Sequence, residues 1–316
     1  MLMAETNIRY VSAIMLGTQK LYTIMTDTLS YIERLEKKLI DMEPIIDKMM
    51  DNSSIYYRDP NAGNSGVFFI GASVYHWGTK DEKGQILAKE HYRKFYENFE
   101  LLFENVHPNT LKKIQKSNKR IINLIEQNIA PASIESGKTL FRNETKVFKD
   151  FLDLLTSGIK KNIVLPDTNS IIQFPNPSSY KSITSNDEFD FVILPTVLSE
   201  LDKHKITHRN DDFRKKVTSL VKRLKGYRKQ GNVLDGVTVD KTITVKMIAT
   251  EPNFNKTLVW IDSENNDDRI IANALELQIK HPSDNVVLVT SDINLQNKAQ
   301  MANLSVFDTD ELEDQK

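Results

Sequence analysis

Apolar residues in the first half of the chain recur at helical spacing. Leu21, Met25, Thr28, Ile32, Leu35, Leu39, Met42, Ile46 and Met49 alternate by fours and threes, a heptad seam over 21–49. At ~1.5 Å per residue it predicts a helix of ~43 Å. Two packings suit such a seam: a dimerising coiled coil, or one long helix packed within its own domain. Pro44 lies inside it and is expected to kink or break the helix, because proline removes a hydrogen bond and crowds the preceding turn. Residues 52–84 abandon the period. "GNSGVFFIGASVYHWGTKDEKG" holds five glycines among alternating aromatics and predicts a hairpin or an ordered loop. Helical spacing returns at about 86–105, 108–129 and 139–157, with Gly158 as a stop. Residues 1–158 therefore read as a mostly helical domain.

From Ile163 the pattern changes. Short apolar runs, "NIVLPD", "FDFVILP", "TITVKMIA", "TLVWID" and "NVVLVTSD", alternate with helical stretches such as "TVLSELDKHK" and "DDRIIANALELQIKH". Strands buried on both faces and separated by helices imply an α/β domain at 162–316, a parallel sheet flanked by helices. Composition sets limits on the rest. The chain has no cysteine, which removes disulfides, thiolate metal sites and cysteine nucleophiles and suits a reducing, cytoplasmic setting. No apolar run approaches the ~20 residues of a membrane span, and the first residues do not read as a secretion signal. The net charge of −1 is uninformative, so only local patches speak about partners.

Open α/β sheets build their sites at the carboxyl ends of strands. Acids stand just past several of these runs: Asp167 after "IVLP", Glu200 on the helix after "FVILP", Asp267 and Asp268 at the start of "DDRIIANAL", and Asp292 after "VVLVTS". Each alone suits a helix cap or a turn. Together, on adjacent strands, they would converge. Two carboxylates ~4 Å apart repel by about 4 kcal/mol at an effective dielectric near 20, so such a cluster calls for protons or a cation. Oxygen-only donors suit Mg²⁺ or Mn²⁺ rather than zinc, and ions of this kind activate water against a phosphodiester.

Four stretches, "IVLPDTNSII", "ILPTVLSELDKHK", "NNDDRIIANAL" and "VVLVTSDINLQNKA", together resemble the PIN-domain nucleases, in that order, over roughly residues 160–316. The resemblance implies a compact parallel-sheet fold that cuts RNA, or in some branches structured DNA, with Mg²⁺ or Mn²⁺. It makes Asp167 the first metal ligand, supported by Asn169, and Glu200 the second. Asp268 is the favoured third ligand with Asp267 as the alternate. Asp292 is the fourth, with Thr290 and Ser291 placed to orient it or to contact phosphate.

Between Glu200 and the next strand the chain is dense in cations: Lys203, Lys205, Arg209, Arg214, Lys215, Lys216, Arg223 and Arg228 are candidate nucleic-acid contacts. His204 and His208 are four apart on the same stretch, without a third ligand in the pattern. "APASIESGKTLF" is a relaxed phosphate-loop match, but lacks the buried strand such a loop follows. The leading expectation is a metal-dependent endoribonuclease acting on single-stranded RNA, a homo-oligomer through the seam, with a separately encoded inhibitor as a further partner. The alternatives are a non-catalytic RNA-binding or scaffold protein and a phosphatase of the haloacid-dehalogenase type. The latter needs a second acid two residues after the first, where this chain has Asn169.

Overall fold

The structure is a computed structural model that describes residues 29–59, 62, 74–156, 160–184 and 188–312. Those residues divide into two compact units. Leu35–Thr156 form one; the described residues up to Arg34 group with those after Thr156 to form the other.

α1 (Tyr31–Asp51), which belongs to the helical unit from Leu35 on, begins at a reciprocal cap: the Ser30 N–H donates to Glu33 Oε2 at 2.7 Å, and the Glu33 N–H to Ser30 Oγ at 3.3 Å. The helix runs through Pro44 without interruption, against the expected break. Pro44 is exposed, and so is Ile40, the residue whose carbonyl goes without a helical N–H because of the proline, so the missing bond falls on the outer face of the helix. Leu35, Leu39, Met42, Ile46 and Met49 are all buried within the single chain. This part of the seam is therefore core rather than a surface for a second copy; its first positions, Leu21, Met25 and Thr28, lie outside the described residues.

The hairpin expected at 52–84 appears at its ends, where β1 (Ile55–Tyr57) pairs antiparallel with β2 (Tyr75–Trp77). Most of the glycine-rich stretch between them is outside the described residues. Three helices follow: α2 (Glu82–Phe99), α3 (Pro108–Ile125) and α4 (Ile134–Leu155). α4 starts earlier than its apolar spacing suggests, because Ser133 and Ser136 cap it reciprocally. The phosphate-loop match is thus the first turns of a helix, with Lys138 paired to Asp51 at 2.6 Å. Phe95 stacks on both Phe99 and Phe148, and all three are fully buried in this unit.

The second unit is built on a six-stranded sheet of order β5-β6-β4-β3-β7-β8. Its strands are β3 (Asn162–Pro166), β4 (Phe189–Ile193), β5 (Val237–Asp240), β6 (Ile243–Met247), β7 (Asn285–Val289) and β8 (Ser305–Phe307). All pairings are parallel except β5 with β6. β3, β4 and β7 are the central strands, buried along nearly their whole length, which is why they read as unbroken apolar runs. Around them lie α5 (Thr168–Gln173), α6 (Pro195–Thr207), α7 (Asp211–Gln230), α8 (Asn266–Lys280) and α9 (Ile293–Met301).

One expected strand is absent: "TLVWID" is a turn, closed by the Ile261 N–H to Leu258 O at 3.0 Å. Leu258 alone is buried while Val259 is 94% exposed, so the run is apolar without being core. Among the described residues, no helix is long and apolar enough to cross a membrane.

Candidate active site

β3 and β7 pair in register from Asn162↔Asn285 to Pro166↔Val289, so their carboxyl ends lie side by side. Asp167 is the first residue past β3 and caps α5. Its Oδ1 accepts the Ser170 N–H at 2.7 Å and its Oδ2 the Thr290 hydroxyl at 2.5 Å. The residue is 4% exposed. Burial pushes its carboxyl above the usual aspartate range, opposed by the Thr290 and Ser170 hydrogen bonds and reinforced by the negative charge of Glu200. Ser170 fixes this corner further, its hydroxyl reaching Val289 O at 3.0 Å while the buried Tyr180 hydroxyl donates to Ser170 O at 3.0 Å.

Glu200 lies on α6, which Pro195 opens at the position where a missing N–H costs nothing. Its Oε2 accepts from the Thr168 hydroxyl, and its Oε1 from Asn266 Nδ2 at 2.7 Å. Thr168 adjoins Asp167 and Asn266 adjoins Asp267, so two short polar side chains tie the second acid to the segments of the first and third.

α8 is capped by Asn265, whose Oδ1 accepts the N–H groups of Asp267 at 2.9 Å and Asp268 at 3.3 Å. The two acids then part company. Asp268 is buried, with Oδ2 accepting the Asp262 N–H at 2.9 Å and Oδ1 held by Lys298 Nζ at 2.6 Å. Asp267 is half-buried, and Lys298 Nζ is 3.7 Å from its Oδ2. Burial raises the Asp267 carboxyl; Lys298 opposes this, and Asp292, Glu200 and Asp268 add to it. Asp267, the alternate of the expected pair, is thus the more open of the two, and the favoured Asp268 is buried against Lys298 and the Asp262 N–H. Burial pulls the Lys298 ammonium down, but its hydrogen bond to Asp268 and the charges of both aspartates leave it above the ordinary lysine range.

Asp292 is exposed and caps α9, its Oδ1 accepting from Asn294 N at 2.7 Å and Leu295 N at 3.0 Å. Thr290 joins it to the first acid, because the Asp292 N–H donates to the hydroxyl oxygen that itself donates to Asp167, at 3.0 Å. Ser291 and Asn169 are exposed. Support for Asp167 comes from Ser170 and Thr290; none of its hydrogen bonds here is to Asn169.

Sequence reasoning passed over Thr168, Ser170, Asn266 and Lys298. The first three sit inside the motifs that carry the acids and were legible there as short hydroxyl or amide neighbours. Lys298 lies six residues past Asp292, and no spacing rule links it to Asp268.

A divalent ion is the group this donor set implies. The donors fit in kind: all are carboxylate oxygens, and mutual repulsion contributes to the upward shift at both Asp167 and Asp267. Their spacing is wider than a coordination sphere, for among the described residues no group of three or more His, Asp or Glu side chains stands close enough to hold a metal.

The predicted cations lie on α6 and α7 and in the turn between them. Lys203, Arg209, Lys215, Lys216, Arg223 and Arg228 are exposed, while Lys205 and Arg214 are half-buried. Lys205, Arg214 and Lys215 line a cavity of about 520 Å³ with Lys222, Thr218, Ser219 and Asp211. Part of this charge is spent locally, Arg214 on Asp211 and Lys215 on Asp212. His204 and His208 pack with Phe213, His208 at 4.1 Å between ring centroids, an aromatic cluster rather than a ligand pair.

No curated protein matches this chain. A family model described as the PIN domain matches residues 163–310, which span the sheet from β3 to β8, the helices around it and Asp167, Glu200, Asp267, Asp268 and Asp292. The C-terminal half of the chain is a PIN domain, the fold of a nuclease family.

Proposed function

We propose that the C-terminal half is an endoribonuclease that hydrolyses single-stranded RNA with Mg²⁺ or Mn²⁺. The observation that supports this most is geometric: hydrogen bonds link the segments of the four acids, Thr168 beside Asp167 and Asn266 beside Asp267 both holding Glu200, and Thr290 bonding both the Asp167 carboxylate and the Asp292 N–H. Asp167, Glu200, Asp267 and Asp292 are the residues that would hold the ion. Asp268 serves as the buried brace of that group rather than as the third ligand. A bound divalent ion supplies an activated water and positive charge for the phosphate under attack. The protein's own share is placement: Thr168 and Asn266 orient Glu200, Thr290 orients Asp167 and Asp292, and the cations of α6 and α7 attract the RNA backbone.

The test is cleavage of a circular single-stranded RNA, which only an endonuclease opens, with Mn²⁺ or Mg²⁺ added. Chelator is expected to stop it. Asp167→Asn is expected to reduce it by more than the ~10–100-fold typical of losing an outer partner, with RNA binding retained. Cutting that survives in Asp167→Asn, or in chelator, would sink the proposal. The wide spacing of the acids and the pairing of Lys298 with Asp268 favour one other reading, an RNA-binding protein that does not cut. That protein would bind the same RNA and leave it whole with either metal.

A further inference from the structure

Lys298 is the feature of the acidic site that a metal-binding reading leaves unexplained. It projects from α9, and its ammonium lies 2.6 Å from Asp268 Oδ1 and 3.7 Å from Asp267 Oδ2. The Asp268 side chain is 7% exposed and that of Lys298 26%, so the pair is mostly withdrawn from water while the lysine keeps a route out. Asp268 has already committed Oδ2 to the Asp262 N–H. The oxygen left over is the one Lys298 holds, on the side shared with Asp267. An ion entering between Asp267 and its acidic neighbours would meet this ammonium at once, and two cations on the same carboxylates repel.

We propose that Lys298 is a built-in counter-ion of the site, and that a divalent metal binds in exchange for it: the ammonium leaves Asp268 and Asp267 as the ion arrives. This rests on the metal-site reading above and adds to it a gate on metal affinity. Lys298 acts here as a positioning residue. It keeps the buried acids neutralised while the ion is absent, and its long flexible stem lets the charge swing to solvent without unfolding α9.

Calorimetric titration of the purified full chain with Mn²⁺ tests the exchange. Lys298→Met, which keeps the stem and removes the charge, is expected to bind Mn²⁺ roughly tenfold or more tightly than wild type. Lys298→Arg is expected to bind as wild type does. Unchanged or weaker binding in Lys298→Met overturns the exchange while leaving the metal site standing. If neither wild type nor variant takes up Mn²⁺, the metal site falls and the exchange with it.

A second measurement uses unmodified protein, in case the methionine variant does not fold. Acylation of Lys298 by an amine-reactive ester, read by peptide mass spectrometry, is expected to rise severalfold on adding Mn²⁺, as the amine is released. Labelling that stays level or falls overturns the proposal.

Discussion

Thr290 shows how much a single hydroxyl carries. It donates to Asp167 and accepts from the Asp292 N–H, so one side chain ties the first acid to the segment that carries the last. Thr290→Val keeps the shape and removes both bonds. It is expected to cost about 1–3 kcal/mol of stability by leaving a buried carboxylate short of a donor, measurable by urea unfolding, and ~10–100-fold of activity. Asp167 itself works against the fold. Its carboxyl is raised by burial, so the protonated form is favoured in the native state and ionisation is destabilising. The cost is absent below the ordinary aspartate pKa of about 3.9, sets in as pH rises through the raised folded value, and is full above it. Asp167→Asn is therefore expected to melt at a higher temperature than wild type at neutral pH in chelator. Calorimetry should see that advantage shrink as the pH is lowered toward 4. The acids were legible in the sequence because each follows a strand, opens a helix or, as Glu200, lies on the helix that follows a strand. Which member of the 267–268 pair is buried was not, because that depends on where Lys298 and the Asp262 N–H lie in space.

At the scale of elements, continuous apolar runs revealed β3, β4 and β7, since central parallel strands bury both faces. "TLVWID" has the same composition and forms a turn, because only tertiary position decides whether such a run is covered. β8 is three residues long and carries no readable period. In α1 the heptad was correct as a helix and misleading as a dimer seam, since a stripe facing a core and a stripe facing a partner look alike in one chain. Met42→Ala is accordingly expected to cost ~2–5 kcal/mol by opening a cavity, with the mass by light scattering unchanged; a drop in mass without loss of stability would restore the seam as an interface. The cations of α7 make a separate forecast. Charge removal at Lys215 or Lys222 is expected to weaken binding of all RNA sequences alike and to lower the slope of log affinity against log salt by about one each. A sequence-dependent loss would mean base contact instead.

For the molecule as a whole, the order of strands in the sheet differs from their order in the chain. β3 is made first and lies at the centre, yet one of its two neighbours, β7, is encoded more than a hundred residues later, and the bond between Asp167 and Thr290 spans 123 positions. Pairings so far apart in sequence close late and slowly. A chain ending at residue 284 lacks that neighbour, and limited proteolysis is expected to find no resistant core after Asn162. The same order bears on manufacture. While the polypeptide is still being synthesised, Asp167 and Glu200 have emerged but Thr290 and Asp292 do not yet exist. A nuclease of the kind proposed would thus stay short of its last acid, and of the hydroxyl that orients its first, until β7 and the residues just after it had been made.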